Sequence, residues 1–181
     1  MKAIVRTRYG SPNVLELQEV EKPVPKDGEV VVQVHAASAN TLDWHTMRGQ
    51  PFLLRTEGGL RKPKVPGLGV DQAGRVEGVG GNVTQFHVGD EVFGIGHGAF
   101  AEFACAYETN LVLKPADLSY EAAAAVPIAA VTALQALRDK GRVRPGEQVV
   151  IQGASGGVGT FAVQIAKAFG AEVTPCVARG M

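Results

Sequence analysis

Cysteine is scarce, neither sign of charge is in excess, and long apolar runs are missing. The chain has 2 cysteines, Cys105 and Cys176, among 181 residues. Two thiols so far apart make no disulfide framework and have no metal-site spacing, so a reducing, cytoplasmic setting is expected. Both read as small buried apolar residues. Lysine plus arginine and aspartate plus glutamate number 18 each, for a formal net charge of zero. That balance argues against nucleic acid or a membrane surface as the main partner. No run approaches the about 20 apolar residues of a membrane span. The start, Met1-Lys2-Ala3-Ile4-Val5-Arg6, lacks the apolar core of a signal peptide.

Residues 1–115 read as β-rich. Lys2 to Arg6, Val14 to Val20, Glu29 to Ala36, Ala73 to Val79, Glu91 to Phe93, Ala99 to Ala106 and Leu111 to Lys114 are short Val-rich or alternating runs. Tyr9-Gly10-Ser11-Pro12 and Pro25-Lys26-Asp27-Gly28 punctuate them with turn residues. Many short strands at close spacing predict a small barrel or sandwich. Asn40 to Gly49 fits one or two helical turns. Gln50 to Gly67 reads as a long basic loop carrying Arg55, Arg61, Lys62 and Lys64. It lacks interleaved aromatics apart from Phe52, which gives RNA binding little support.

Composition shifts near Pro115. Ser119 is the expected N-cap of an Ala-rich helix. Pro127 divides that stretch, and a second helix is expected from Ile128 to Lys140. The division predicted is 1–115 for the β-rich domain and 116–181 for a helical bridge with a nucleotide-binding unit. In that unit, Gln148 to Gln152 is an apolar lead-in to Gly153-Ala154-Ser155-Gly156-Gly157-Val158-Gly159. Thr160 to Phe169 has helical period, and Ala171 to Val177 is a second apolar run. Ala154, Gly156 and Gly159 fall on the three positions of the dinucleotide fingerprint, with alanine replacing the first glycine. Gly156 opens the backbone to a pyrophosphate, Gly159 permits close helix packing, and the first helical turn favours the anion. Ser155 adds a hydroxyl that can contact a phosphate.

Taken in order, Met1 to Ile4, Tyr9 to Pro12, Val34 to Gly49, Pro66 to Gly80, Val88 to Val92, Gly98 to Glu102, Ala124 to Leu134 and Gln152 to Gly159 resemble the medium-chain dehydrogenase/reductase superfamily. More narrowly, the chain is similar to its zinc-free quinone oxidoreductases, the relatives of zeta-crystallin. The resemblance implies an α/β plus β fold: a GroES-like β-barrel domain, then the first βαβ half-unit of a Rossmann fold. It implies reduction of a small quinone or α,β-unsaturated carbonyl by hydride from NADPH, and homodimers of the complete protein. Family members continue for well over a hundred further residues, so a C-terminally truncated member is expected. The alternative is a non-catalytic nucleotide-binding fragment or an interaction or RNA-binding module.

The resemblance also nominates residues. Asn40, Val70 and Ile128 stand where zinc-dependent relatives have ligands. Valine and isoleucine cannot bind zinc and an amide is a poor ligand, so no metal is expected. An acceptor that takes hydride without a Lewis acid needs hydrogen-bond donors at its developing oxyanion. Asn40 and His45 are the nominated donors, and Asn40 is also a cofactor contact. His45 occupies a place where some relatives have tyrosine, and imidazole suits acid catalysis near neutrality. Asp43 and Trp44 are expected to cap and pack the same turn. The family places a threonine at Thr132 near the cofactor, although a helix threonine equally bonds its own backbone. The segment beyond the second strand holds no acid to bind a ribose 2′-OH. It does hold Arg179, suited to a 2′-phosphate, which predicts NADPH over NADH.

Overall fold

The computed structural model describes residues 1–177. The chain divides into two compact units, Met1–Ala125 and the remainder from Val126.

The first unit opens with β1 (Lys2–Arg6) paired antiparallel to β2 (Leu15–Glu19). Then follow β3 (Glu29–Ser38), α1 (Thr41–Arg48), α2 (Leu54–Gly58), β4 (Asp71–Val79), β5 (Glu91–Ile95), β6 (Phe103–Tyr107), β7 (Leu111–Leu113) and α3 (Tyr120–Ala124). The main sheet is antiparallel, in the order β6-β3-β4-β5-β7. Isolated bridges Ala3↔Ala101 and Val5↔Gly67 tie β1 to the segments before β4 and β6. β3 and β4 centre the core because Val30, Val32 and Val76 are buried with Phe86, Val92, Ala106 and Leu111. Burying branched side chains of this kind is worth about 1.5–3 kcal/mol each.

α3, which the 115/116 division would assign to the second unit, packs on the first. Ala123 and Ala124 are small enough to lie flat on Ala73. Tyr120 stacks on His35 at 4.5 Å and donates its hydroxyl to Glu91 at 2.7 Å. Ser119 caps the helix, accepting from the Ala122 N–H at 3.2 Å.

The second unit comprises α4 (Pro127–Leu134), a π-helical turn over Gln135–Lys140, β8 (Gln148–Gln152), α5 (Gly157–Ala168) and β9 (Glu172–Cys176). β8 and β9 are parallel and joined through α5. Ala162 and Ala166 of α5 are buried with Ile151, Ala133 and Leu137.

Several local expectations are corrected. The basic loop contains α2, closed by backbone bonds such as Leu54 N–H to Pro51 O at 3.0 Å. The second helix begins at Pro127, because proline is tolerated at a first helical position where its missing N–H has no role. α5 starts at Gly157 rather than Thr160. Cys176 is exposed and Cys105 half-buried. Among the described residues no helix is long and apolar enough to cross a membrane.

Candidate functional site

The glycine turn is built by hydrogen bonds from its neighbours. β9 ends at Cys176, whose carbonyl accepts the N–H groups of Gly153 at 2.9 Å and Ala154 at 3.1 Å. Gly153 turns the chain with φ +72°, in the left-handed region that favours glycine. The turning residue therefore lies one position before Ala154. This explains how alanine stands at the fingerprint's first glycine: Ala154 faces the core at 8% exposure. Gly156 caps α5 with extended backbone and donates to Gly153 O at 2.9 Å.

Gly159 is fixed by sterics. A Cβ there would lie 2.1 Å from Gly153 O and 2.8 Å from the Ala154 Cα. Gly157 faces open space instead, with nothing within 4 Å, and a Cβ at Gly156 would meet only Gly153 O, a tight but not prohibitive 3.3 Å away. Ser155, Gly156, Gly157 and Val158 are all exposed. The first-turn N–H groups of α5 have no intrahelical acceptors, and no acidic side chain occupies that turn. The result is an exposed, uncrowded helix N-terminus of the kind that accepts a phosphate group.

In the first unit, β3 delivers the chain to α1 through Ser38 and Asn40. Asn40 is the N-cap, and its backbone N–H donates to the Asp43 carboxylate at 2.8 Å. Its side-chain amide donates to Asp71 Oδ2 at 3.1 Å and Ser38 Oγ at 3.3 Å. The Ser38 hydroxyl donates to the same Asp71 oxygen at 3.2 Å. Asp71 is fully buried, opposite Ser38 in the β3–β4 register. The amide N–H groups of Asn40 are thus directed to holding a buried carboxylate.

His45 lies one turn further along α1, half-buried. Its Nδ1 is 2.8 Å from the Gln50 carbonyl. A carbonyl only accepts, so Nδ1 carries the proton. In the neutral ring Nε2 is then an acceptor, and His45 donates from Nε2 only as imidazolium. Trp44 meets the ring edge-on at 4.9 Å. Thr132 is exposed on α4, and Arg179 lies outside the described residues. Among the described residues no three His, Cys, Asp or Glu side chains group as metal ligands.

Residues 26–116, half of the chain, match the alcohol dehydrogenase GroES-like domain family. The chain belongs to this family. This GroES-like chain is 40% identical over 180 residues to the quinone oxidoreductase of Sus scrofa, covering 96% of itself and 51% of that protein. CurK enoyl reductase superposes with a TM-score of 0.88 at 32% identity, over 96% of this chain and 53% of that one. Escherichia coli quinone oxidoreductase complexed with NADPH gives 0.85 at 29% identity, over 99% and 53%. The GroES-like chain thus spans about half the length of the curated relatives it matches. It falls in the quinone oxidoreductase branch of the medium-chain dehydrogenase/reductase superfamily, with a GroES-like domain followed by part of a Rossmann fold.

Sequence reasoning missed Ser38 and Asp71 in this GroES-like domain. The available signal was weak: Asp71 opens a strand in which Gln72, Arg75 and Glu77 are also polar, so nothing in the run singles it out as buried. Asp43 carries a pH dependence. Burial pushes its carboxyl up, while the N–H groups of Asn40 and Gly69 pull it back. An acid raised above its unfolded value of about 3.9 favours the fold at low pH, and this contribution is lost as pH rises through the raised value. Asp43→Asn should therefore flatten the part of the stability profile that falls with rising pH above about 4. Urea unfolding from pH 3 to 6 measures it, and identical profiles for the two proteins would refute the assignment.

Proposed function

We propose that this chain is the barrel and first nucleotide-binding half of an oxidoreductase that transfers hydride from NADPH to a quinone or α,β-unsaturated carbonyl, without a metal. The supporting observation is the glycine turn: an exposed helix N-terminus whose approach Gly156 and Gly157 leave open. When bound, the nicotinamide supplies the hydride. The residues of this chain bind and polarise. The N–H groups at Gly157, Val158 and Gly159 and the Ser155 hydroxyl receive the pyrophosphate, with Gly153 and Ala154 shaping the turn. Thr132 and Asn40 are cofactor contacts in this reading, and Arg179 holds the 2′-phosphate. His45, protonated at Nε2, donates to the acceptor oxygen as negative charge develops there. General acid catalysis of this kind contributes about 10²–10⁴-fold.

The experiment joins this chain to the C-terminal half of the Sus scrofa relative and follows NADPH oxidation by a soluble quinone. Turnover should survive a chelator and drop about 100-fold in His45→Phe. Arg179→Ala should cost about 1–3 kcal/mol in kcat/KM with NADPH and little with NADH. NADPH binding without turnover would favour a non-catalytic module, and a wild-type preference for NADH would remove the role given to Arg179.

A further inference from the structure

We infer that the first unit holds a second, independent binding site: a cavity around Arg6 that takes a small organic carboxylate. β1 does not alternate cleanly. Val5 and Arg6 are buried in succession, at 5% and 4% exposure, so the guanidinium points inward. The backbone N–H of Arg6 donates to Pro66 O at 3.0 Å, which holds the strand in that register. The side chain is not satisfied in the same way. Nε and Nη1 are both buried and have no hydrogen-bond partner. The Tyr9 ring lies 5.6 Å from the guanidinium carbon, and Arg55 is closer to the same ring, at 4.5 Å. Folded proteins seldom leave buried donors unpaired, and an exception points to a ligand or an ion. Burial works against the charge, yet arginine does not give up its proton.

Arg6 also lines open space. A cavity of about 350 Å³ is lined by Arg6, Thr46 and Lys64 with Val65, Leu68 and Val70. A neighbouring one of about 330 Å³ shares Arg6 and Thr46 and is walled by Tyr9. The charged and titratable groups facing the larger cavity are Arg6, Lys64, Asp43 and His97. Asp43 is held by the N–H groups of Asn40 and Gly69 and does not serve Arg6.

The lining selects the ligand. One buried guanidinium beside apolar walls suits a single negative charge on a hydrocarbon body. The Asp43 carboxylate opposes a second negative charge, which disfavours phosphate. The hydroxyl of Thr46 provides a further donor. The site needs neither NADPH nor hydride chemistry, so it stands or falls apart from the function proposed above.

Benzoate is the probe, titrated calorimetrically into the 181-residue chain, with benzyl alcohol and inorganic phosphate as comparators. Benzoate should bind saturably at one site per chain, and benzyl alcohol about tenfold more weakly or worse. Arg6→Met keeps an unbranched apolar stem in place and should weaken benzoate about tenfold or more. Its melting temperature should stay level or rise, because an unpaired buried charge is gone. Hydrogen exchange on the wild type supplies a readout that needs no variant: benzoate should protect residues 1–9 and 41–49. Absence of saturation, equal binding by Arg6→Met, protection confined elsewhere, or phosphate binding more tightly than benzoate would each overturn the proposal.

Discussion

Gly159→Val should unfold the second unit while leaving the first intact. The added Cβ would meet backbone on two sides, at 2.1 Å from Gly153 O and 2.8 Å from the Gly153 carbonyl carbon. Those atoms cannot swing aside. Gly153 is tied by its N–H to Cys176 O at 2.9 Å, and its carbonyl accepts from Gly156 at 2.9 Å. The other side of the contact is equally fixed, because Ala162 and Ala166 dock α5 on its neighbours. Overpacking in a filled site costs about 1–3 kcal/mol, and a β-branched residue against backbone belongs at the upper end. A unit of this size has only a few kcal/mol to lose, since stability runs near 0.05–0.15 kcal/mol per residue. Hydrogen exchange is the direct measurement. Amides of β8 and α5 should lose protection while those of β3 and β4 keep theirs. Gly156→Ala is the contrast, because only Gly153 O at 3.3 Å stands near. It should fold, and in the completed chimera it should weaken NADPH binding. Full protection of α5 in Gly159→Val would show that the helix shifts to make room and that close packing does not fix this glycine.

The features read correctly from sequence are those in which one short stretch carries its own cause. Lys2 to Arg6 matches β1 end to end, and Ser119 caps its helix because N-cap chemistry is local. The turn from Gly153 to Gly159 was legible because its spacing encodes strand, turn and helix together. Features that depend on distant partners were not. α2 is five residues long, its N-cap position is Leu53, and it forms from backbone bonds within a Gly/Pro-containing stretch. Arg6 at the end of a short apolar strand gives no hint that its charge lies inside. Asn40 gives no hint in the sequence of which side chain its amide meets within the fold. Its place beside Asp71 depends on the β3–β4 register, which shifts between Val31 and Val32 and again between Val34 and Ala36. Such irregularities arise from pairing across the sheet, so no single strand announces them.

Asn40→Asp should be among the most damaging isosteric changes in the chain, and pH should reverse it. Asparagine and aspartate are comparable as helix N-caps, so the start of α1 loses little from the exchange itself. The loss arises at Asp71. The amide nitrogen of Asn40 now stands 3.1 Å from Asp71 Oδ2, and the variant puts a carboxylate oxygen there. Two carboxylates at that distance cannot both ionise in a site where Asp71 is fully buried, so one retains its proton. The raised pKa belongs to the folded pair. As pH falls below about 4, the carboxyls of the unfolded chain become protonated as well, and the variant should move toward wild-type stability. Above it, the unfolded chain releases a proton that the fold keeps. Stability then falls by about 1.4 kcal/mol per pH unit until the pair itself titrates. At pH 7 the deficit should amount to a few kcal/mol, about 1.4 kcal/mol for each pH unit over which the fold keeps its extra proton. Asn40→Ala separates this from the loss of a cap and a hydrogen bond: it should cost about 1–3 kcal/mol, and only the part lost at the Asp71 carboxylate should recover in acid. Urea unfolding of the three proteins between pH 3.5 and 7.5 provides the comparison. If Asn40→Asp unfolds like the wild type at pH 7, Asn40 is free to turn away from Asp71, and its amide is available to a bound ligand after all.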